Sequence, residues 1–190
     1  MFRFRHNTGQ AIAEFAIAFP VLLLLVLGII QISFMFAARA VVEYAAFAAS
    51  RAELVGEDAE RAAEFVCTAI AGPTRVGGGR DIIVPGWGVI PRGLAASEKT
   101  YVDVLEPITN QSGAVTVEVT HLYELVVPVA SMIFKPISTP LEPGHVPEDI
   151  FITYGGAPHM VMRARYTRPV PWGVEIQDAQ GHAVISELEQ

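Results

Sequence analysis

The sequence predicts an α+β fold with a long N-terminal transmembrane helix, a second short helix and a small, mainly antiparallel sheet. The long helix is predicted from the segment between Phe15 and Ala38, which contains no ionisable side chain. The sheet is predicted from residues 115–127, where apolar and polar residues alternate along much of the segment, as in a half-buried strand. Helical patterns occupy the first part of the chain and strand patterns the rest, which indicates the α+β class.

The apolar segment is long enough to span a membrane. Its 24 residues would extend roughly 36 Å as a helix, and a bilayer hydrocarbon core is about 30 Å thick. The hydrophobic region of a cleaved secretory signal has only about 7–15 residues and ends at a small-residue cleavage site. Here Arg39 and a helical continuation follow, so we expect a retained anchor. Arg3 and Arg5 should keep the N-terminus in the cytoplasm by the positive-inside rule.

The helical pattern continues beyond the apolar segment. Residues 40–54 are rich in alanine, and the larger residues among them recur at helical spacing: Val41, Tyr44, Phe47 and Ala48. Gly56 then predicts a break. Glu57 and Asp58 suit the positive end of a second helix, which we expect to run to about Ala71.

Five later segments carry strand patterns, at Asp81–Val84, Thr100–Leu105, Val115–Val127, Met160–Thr167 and Val174–Ile176. The segment from Val126 to Phe134 is apolar but too short to cross a membrane. These patterns predict an α+β domain over residues 56–190, and the predicted orientation of the anchor places it outside the cytoplasm.

Composition excludes several functions. The net charge of −7 argues against a nucleic-acid-binding protein. A single cysteine, Cys67, excludes an internal disulfide and a multi-cysteine metal site. The five histidines include no close pair at metal-ligand spacing. We therefore predict no catalytic residue, no metal and no cofactor.

The most informative motif lies at the start of the apolar helix. A short basic leader ends at Gly9, and Glu14 follows five residues later. A protease cutting between Gly9 and Gln10 would meet no side chain at Gly9, which eases approach to the backbone. A carboxylate at membrane depth is unfavourable by about 2.5–3.5 kcal/mol at a helix centre, and by less near an interface, so Glu14 needs an explanation.

The stretch Gly9-Gln-Ala-Ile-Ala-Glu-Phe-Ala-Ile-Ala-Phe-Pro-Val-Leu-Leu-Leu-Leu resembles the N-terminus of TadE-like pseudopilins of the tight-adherence (Flp, type IVb) pilus system. The resemblance covers about residues 9–55 and includes Ala48-Ala49-Ser50-Arg51. It implies a leader over residues 1–9, a transmembrane and projecting helix over residues 10–55, and no enzymatic activity. Gly9 and Gln10 match the cleavage site of the family, and Glu14 and Phe15 match its assembly positions. Pro20 belongs to the motif and is a candidate helix kink.

The resemblance also implies partners and a location. A prepilin peptidase would process the chain, which would then act as a minor pilin with other pseudopilins, the Flp pilin and the inner-membrane platform proteins. The anchor would contact membrane lipid, and no nucleic acid is expected. The location implied is the inner membrane, with a periplasmic domain. A place within the fibre and a place at its base both stay open.

Two other classes of function remain. An uncleaved single-pass scaffold, whose outer domain binds a protein partner, would share every feature except processing at Gly9. A tethered envelope enzyme would need ionisable residues that converge in the outer domain, and the sequence pattern predicts none.

Overall fold

The computed structural model describes residues 8–73, 82–84, 88–90, 96–106, 113–141, 146–170, 176–177 and 183–184. The predicted leader, apart from Thr8 and Gly9, lies outside this part of the chain. The helices are α1 (Thr8–Leu54), α2 (Ala59–Cys67), α3 (Ala96–Lys99) and α4 (Pro128–Phe134), and a 3-10 turn covers Lys135–Ile137. The strands are β1 (Ile82–Val84), β2 (Gly88–Ile90), β3 (Thr100–Glu106), β4 (Ala114–Glu124), β5 (Thr139–Pro140), β6 (Phe151–Tyr154), β7 (Ala157–Pro169), β8 (Ile176–Gln177) and β9 (Ala183–Val184).

The main sheet has five strands in the order β3-β4-β7-β6-β5. All neighbours in it are antiparallel except β5 and β6, which are parallel. The strands β1 and β2, and likewise β8 and β9, form separate two-stranded sheets. The predicted class is therefore confirmed: a long apolar helix, a short second helix and a small, mostly antiparallel sheet.

The C-terminal half of α1 packs on this sheet through a row of mostly small buried residues, here called the alanine stripe. The buried residues recur at intervals of three and four, which places them on one helical face. They are Ala38, Val42, Ala45, Ala46 and Ala49. Their core partners include three valines of β4 (Val115, Val117, Val119) and three residues of α2 (Ala59, Ala63, Cys67). Small side chains let the helix backbone approach both elements closely.

The buried face of α1 differs from the face that the sequence suggested, which contained Val41, Tyr44, Phe47 and Ala48. Tyr44 is 60% exposed, whereas Phe47 packs edge-on against Tyr166, with the ring centroids 5.3 Å apart. The guanidinium of Arg168 lies 5.4 Å from the centre of the Phe47 ring. Large residues thus flank the interface, and alanines occupy its centre, because a helix lying flat on a sheet leaves little space between the backbones.

Two predicted element ends were wrong. The main strand ends at Glu124 rather than at Val127, because Val127 donates its backbone N–H to the side chain of Gln31 and Pro128 begins α4. The second helix ends at Cys67 rather than near Ala71. Its start is confirmed, since the Asp58 side chain caps the helix by accepting the N–H of Arg61 at 3.1 Å.

Candidate membrane anchor and assembly site

The N-terminal part of α1 extends away from the rest of the structure. Every residue from Gly9 to Val26 is exposed, and large apolar side chains among them are more than half exposed, such as Phe15 (65%) and Ile17 (74%). The first fully buried residue of α1 is Gln31. The 22 residues before it, counted from Gly9, span roughly 33 Å as a helix, which matches the hydrocarbon thickness of about 30 Å.

Within the described residues, α1 is the one helix that is long and apolar enough to cross a membrane. Only 6% of its most apolar window is buried inside the structure. The core helix of a soluble protein would be mostly buried, so this surface requires another covering. The helix therefore indicates a single-pass membrane protein.

Gly9 lies in the first turn of α1, which begins at Thr8. A side chain added at Gly9 would meet no atom within 4 Å. The fold itself therefore does not require glycine here, and neither a tight turn nor close packing explains it.

Glu14 has an intrachain partner that the sequence reasoning missed. The Gln10 side-chain amide donates a hydrogen bond to a Glu14 carboxylate oxygen at 2.9 Å, and both residues are exposed. The spacing of four residues brings the two side chains onto one helical face. The bond leaves the other Glu14 oxygen available to a donor outside the chain.

Phe15 and Pro20 lie on the same exposed segment. The Phe15 ring stacks on Phe19 with a centroid separation of 5.4 Å. Helix α1 continues through Pro20 without a break, although the missing N–H leaves the Ala16 carbonyl without its usual helical donor. The exposed part of α1 from Gly9 to Val26, here called the bare segment, thus contains all five predicted site residues: Gly9, Gln10, Glu14, Phe15 and Pro20.

Gln31 contacts the part of the fold that follows α1 and contains the main sheet, here called the outer domain. Its side chain is 4% exposed, and its carbonyl oxygen accepts the backbone N–H of Val127 at 3.0 Å. This bond satisfies a backbone donor just before α4, where β4 has ended. A polar residue in an apolar helix therefore adds a specific contact between α1 and the segment before α4, beyond the apolar packing of the helix on the sheet. In the sequence, Gln31 is only one polar residue within the apolar segment, and nothing there indicates its partner.

The outer domain contains a buried cluster of ionisable residues, which sequence reasoning did not predict. Lys99 is fully buried, and its ammonium donates to the carbonyl oxygens of Ala71 (2.7 Å) and Pro73 (3.0 Å). The same ammonium lies 3.4 Å from Glu124, whose carboxylate is 3.9 Å from the ring of His159. Lys99 thereby holds the segment after α2 through two of its backbone carbonyls.

Neighbouring strands bring these residues together. Lys99 directly precedes β3, Glu124 ends β4, and Glu124 is paired in register with His159 of β7. The sequence could have indicated this cluster, because antiparallel pairing places the start of one strand beside the end of its neighbour. The cluster is enclosed and ties one end of the sheet to the segment after α2, so the arrangement is that of a structural element.

Two other chemically active groups of the outer domain are also buried. Burial raises the pKa of the Cys67 thiol to about 12, so this cysteine stays protonated and unreactive. His121 is fully buried and shares a 2.9 Å hydrogen bond with Thr100. This environment is that of a hydrogen-bonded core histidine. In the part of the chain that the structure describes, no group of three or more His, Cys, Asp and Glu residues is arranged to hold a metal.

His121 makes the stability of the outer domain sensitive to acid. Burial, helped by the nearby Lys99 and His159, lowers its pKa from 6.5 to about 3. Between these values the unfolded chain binds a proton and the folded chain does not. The free energy of unfolding should therefore fall as pH drops below about 6.5, by up to about 1.4 kcal/mol per pH unit from this group. Thermal unfolding of the detergent-solubilised chain at several pH values measures this slope.

The matched control for this prediction is His121→Gln, which retains hydrogen-bonding capacity and cannot gain the charge. The variant should show a smaller pH slope between pH 6.5 and 5 than the natural chain. Identical slopes in the two chains would contradict the prediction and assign the acid sensitivity to other groups.

Comparison with known proteins yields one match. Residues 9–51 match the model of the family described as TadE-like protein. This range contains the bare segment, Gln31 and the whole alanine stripe. The resemblance expected from the sequence is thereby confirmed over these residues. No curated protein and no solved structure gives a significant match to the chain.

Proposed function

With residues 9–51 forming a TadE-like segment, we propose that this chain is a pseudopilin, or minor pilin, that takes part in the assembly or initiation of a Tad (Flp) pilus. The match carries the proposal, because it includes Gly9 and Glu14 at the start of a helix that crosses a membrane by length and composition. The TadE-like family is pilus-associated and structural, so the role proposed is structural rather than catalytic.

The bare segment of α1 supports an assembly role. Its apolar side chains need a covering that the described residues do not provide, and lipid would supply it before assembly. In a fibre, helices of other subunits would replace the lipid without exposing apolar area to water. The proposed partners are therefore a prepilin peptidase, other pseudopilins, the Flp pilin and the inner-membrane platform.

A second element of the proposal is processing. Cleavage after Gly9 would remove Arg3 and Arg5 and leave Gln10 with a free α-ammonium. That ammonium lies on the same helical end as Glu14, and it is absent from an uncleaved chain. Processing would thus create a cationic group beside a carboxylate, and each can pair with its counterpart on a neighbouring subunit.

Removal of this chain from cells that make Flp pili tests the role directly. We expect strong loss of surface pili, restored by the natural chain supplied in trans. Electron microscopy and surface-pilin immunoblotting measure the result, with total pilin level as the control. Normal piliation without the chain would overturn the proposal.

The proposed orientation places the leader in the cytoplasm and the outer domain in the periplasm. A reporter active only in the periplasm, fused after Gln190, should therefore be active. The matched control is the same fusion in a chain whose Arg3 and Arg5 are replaced by glutamate, which should reduce the correctly oriented fraction. A second reporter that is active only in the cytoplasm should give no signal when fused after Gln190. Activity of that fusion would contradict the orientation.

A further inference from the structure

The apolar surface around α4 carries an inference beyond pilus assembly. The 3-10 turn follows α4 directly, and four large apolar residues of this segment are between 61% and 77% exposed. They are Val126, Met132, Ile133 and Ile137, here called the α4 apolar surface. Val127 and Ala130 of the same segment are buried. One side of the segment therefore packs against the domain, and the opposite side exposes large apolar side chains where a water-soluble domain usually has polar ones.

The position of this surface relative to α1 is fixed by Gln31. The Gln31 carbonyl oxygen accepts the N–H of Val127 at 3.0 Å, which places the start of α4 beside residue 31 of the membrane helix. If the hydrocarbon core begins after Glu14, a thickness of about 30 Å ends near Phe34. Gln31 then lies roughly 5 Å inside the outer boundary of the hydrocarbon core. Any element bonded sideways to α1 at this level meets the membrane interface.

From this geometry we infer that the α4 apolar surface inserts into the outer leaflet of the membrane and rests there as an interfacial element. Amphipathic helices at membrane surfaces bury their apolar face about 5–10 Å into the boundary between headgroups and acyl chains, which is the depth assigned here. The inference rests on the membrane-spanning role of α1 in the proposed function.

The neighbouring polar groups fit this depth. Lys135 follows α4 and is exposed, and a lysine at the interface can extend its ammonium to anionic headgroups. Beyond Ile137 the surface becomes polar, since the Thr139 hydroxyl donates to the Asp149 carboxylate at 2.6 Å. Along the chain, Lys135 can therefore reach lipid headgroups, and the Thr139–Asp149 pair after the α4 apolar surface can face water.

A groove beside α1 extends the lipid-facing region on the outer domain. It has a volume of about 300 Å³ and lies between α1 and β7, where apolar residues of both elements line it together with Arg39 and Arg163. Arg39 is the first cation after the apolar segment of α1. Apolar walls with arginines suit the acyl and phosphate parts of a phospholipid at the same interface.

Insertion of α4 would hold the outer domain against the membrane. The buried face of α1 already packs in the core of this domain, so helix and domain form one packed unit. An apolar attachment of α4 to the membrane would therefore restrict the tilt and rotation of the whole chain in the bilayer. Departure from the membrane into a fibre would then require the α4 apolar surface to exchange lipid for another apolar partner.

The test measures the depth of nitroxide labels on the full chain in vesicles of phosphatidylethanolamine and phosphatidylglycerol. The labelled variants are Met132→Cys on the α4 apolar surface, Leu24→Cys in the middle of the membrane-spanning part of α1, and Val55→Cys as an exposed apolar control beyond the far end of α1. Cys67 is buried, and the natural chain treated with the same reagent is the blank. Collisions with oxygen, which concentrates in lipid, are compared with collisions with a polar nickel chelate.

The label at position 132 should show an oxygen-to-nickel collision ratio several-fold higher than the label at position 55, approaching that at position 24. A water-like ratio at position 132 with a lipid-like ratio at position 24 would overturn this inference and leave the anchor intact. Water-like ratios at both positions would overturn the anchor as well. Shielding at position 132 that appears only at high protein-to-lipid ratio would assign the surface to contact between copies and overturn the membrane assignment.

Discussion

We expect Glu14→Ala to abolish surface pili while leaving the membrane level and the processing of the chain unchanged. Glu14 is exposed and bonds only to the Gln10 amide within the part of the chain that the structure describes, so its removal disturbs no packing. Alanine also removes the free-energy cost of holding a carboxylate at the edge of the membrane core, so insertion should be equal or better. The loss should appear at assembly, where the carboxylate would pair with the Gln10 ammonium of a neighbouring subunit in surroundings with little water.

Two further variants separate this pairing from simpler roles. Glu14→Gln keeps the shape and removes the charge, so it should fail like Glu14→Ala. Gln10→Ala removes the intrachain amide donor but keeps the α-ammonium that cleavage would create, so it should assemble pili. The measurement is surface pilin, with membrane level and mature mass determined in the same cells. Normal piliation of Glu14→Ala at the natural membrane level would reduce Glu14 to a carboxylate that favours the start of the helix.

The second large effect is expected at Gly9. Gly9→Val should block removal of the first nine residues without preventing insertion, because the apolar segment of α1 is unchanged. The structure makes this a clean substitution, since an added side chain at Gly9 meets nothing within 4 Å. A failure of cleavage would then report on the protease and not on the fold. Intact mass of the membrane-extracted chain distinguishes a start at Gln10 from a start at Met1.

The matched control is Gly28→Val in the same helix. An added side chain there also meets nothing within 4 Å, so the two variants make the same change in equally open places. Gly28→Val should be processed normally. A natural chain that begins at Met1, in cells with an active prepilin peptidase, would contradict cleavage and favour the uncleaved scaffold. Normal processing of Gly9→Val would remove the requirement for glycine at the cleavage site.

The anchor could be predicted from the sequence because its determinants are local. Helix length follows from the rise per residue, and the missing charges between Glu14 and Arg39 appear directly in the sequence. The start of α2 was also predictable, since Asp58 caps the helix three residues before the N–H that it accepts. The cleavage and assembly roles of Gly9 and Glu14 stay predictions, because they concern partners outside the chain.

The buried face of α1 could not be predicted in the same way. Alanines occur on every side of residues 37–49, so periodicity alone does not identify the stripe that starts at Ala38. The larger residues suggested a different face. The sheet decided between them, because Val115, Val117 and Val119 require a neighbour with small side chains for close approach.

The sequence by itself determined the membrane helix, its motif and the α+β class, since each depends on spacing within one segment. Only the tertiary structure decided the roles of Gln31 and Lys99. Gln31 resembles a tolerated polar residue until Val127, 96 positions away, donates to it. Lys99 resembles a solvated charge until the Ala71 carbonyl and Glu124 surround it. Both residues are buried polar groups whose free energy depends on partners that chain folding brings close, and the spacing within one segment carries no record of such partners.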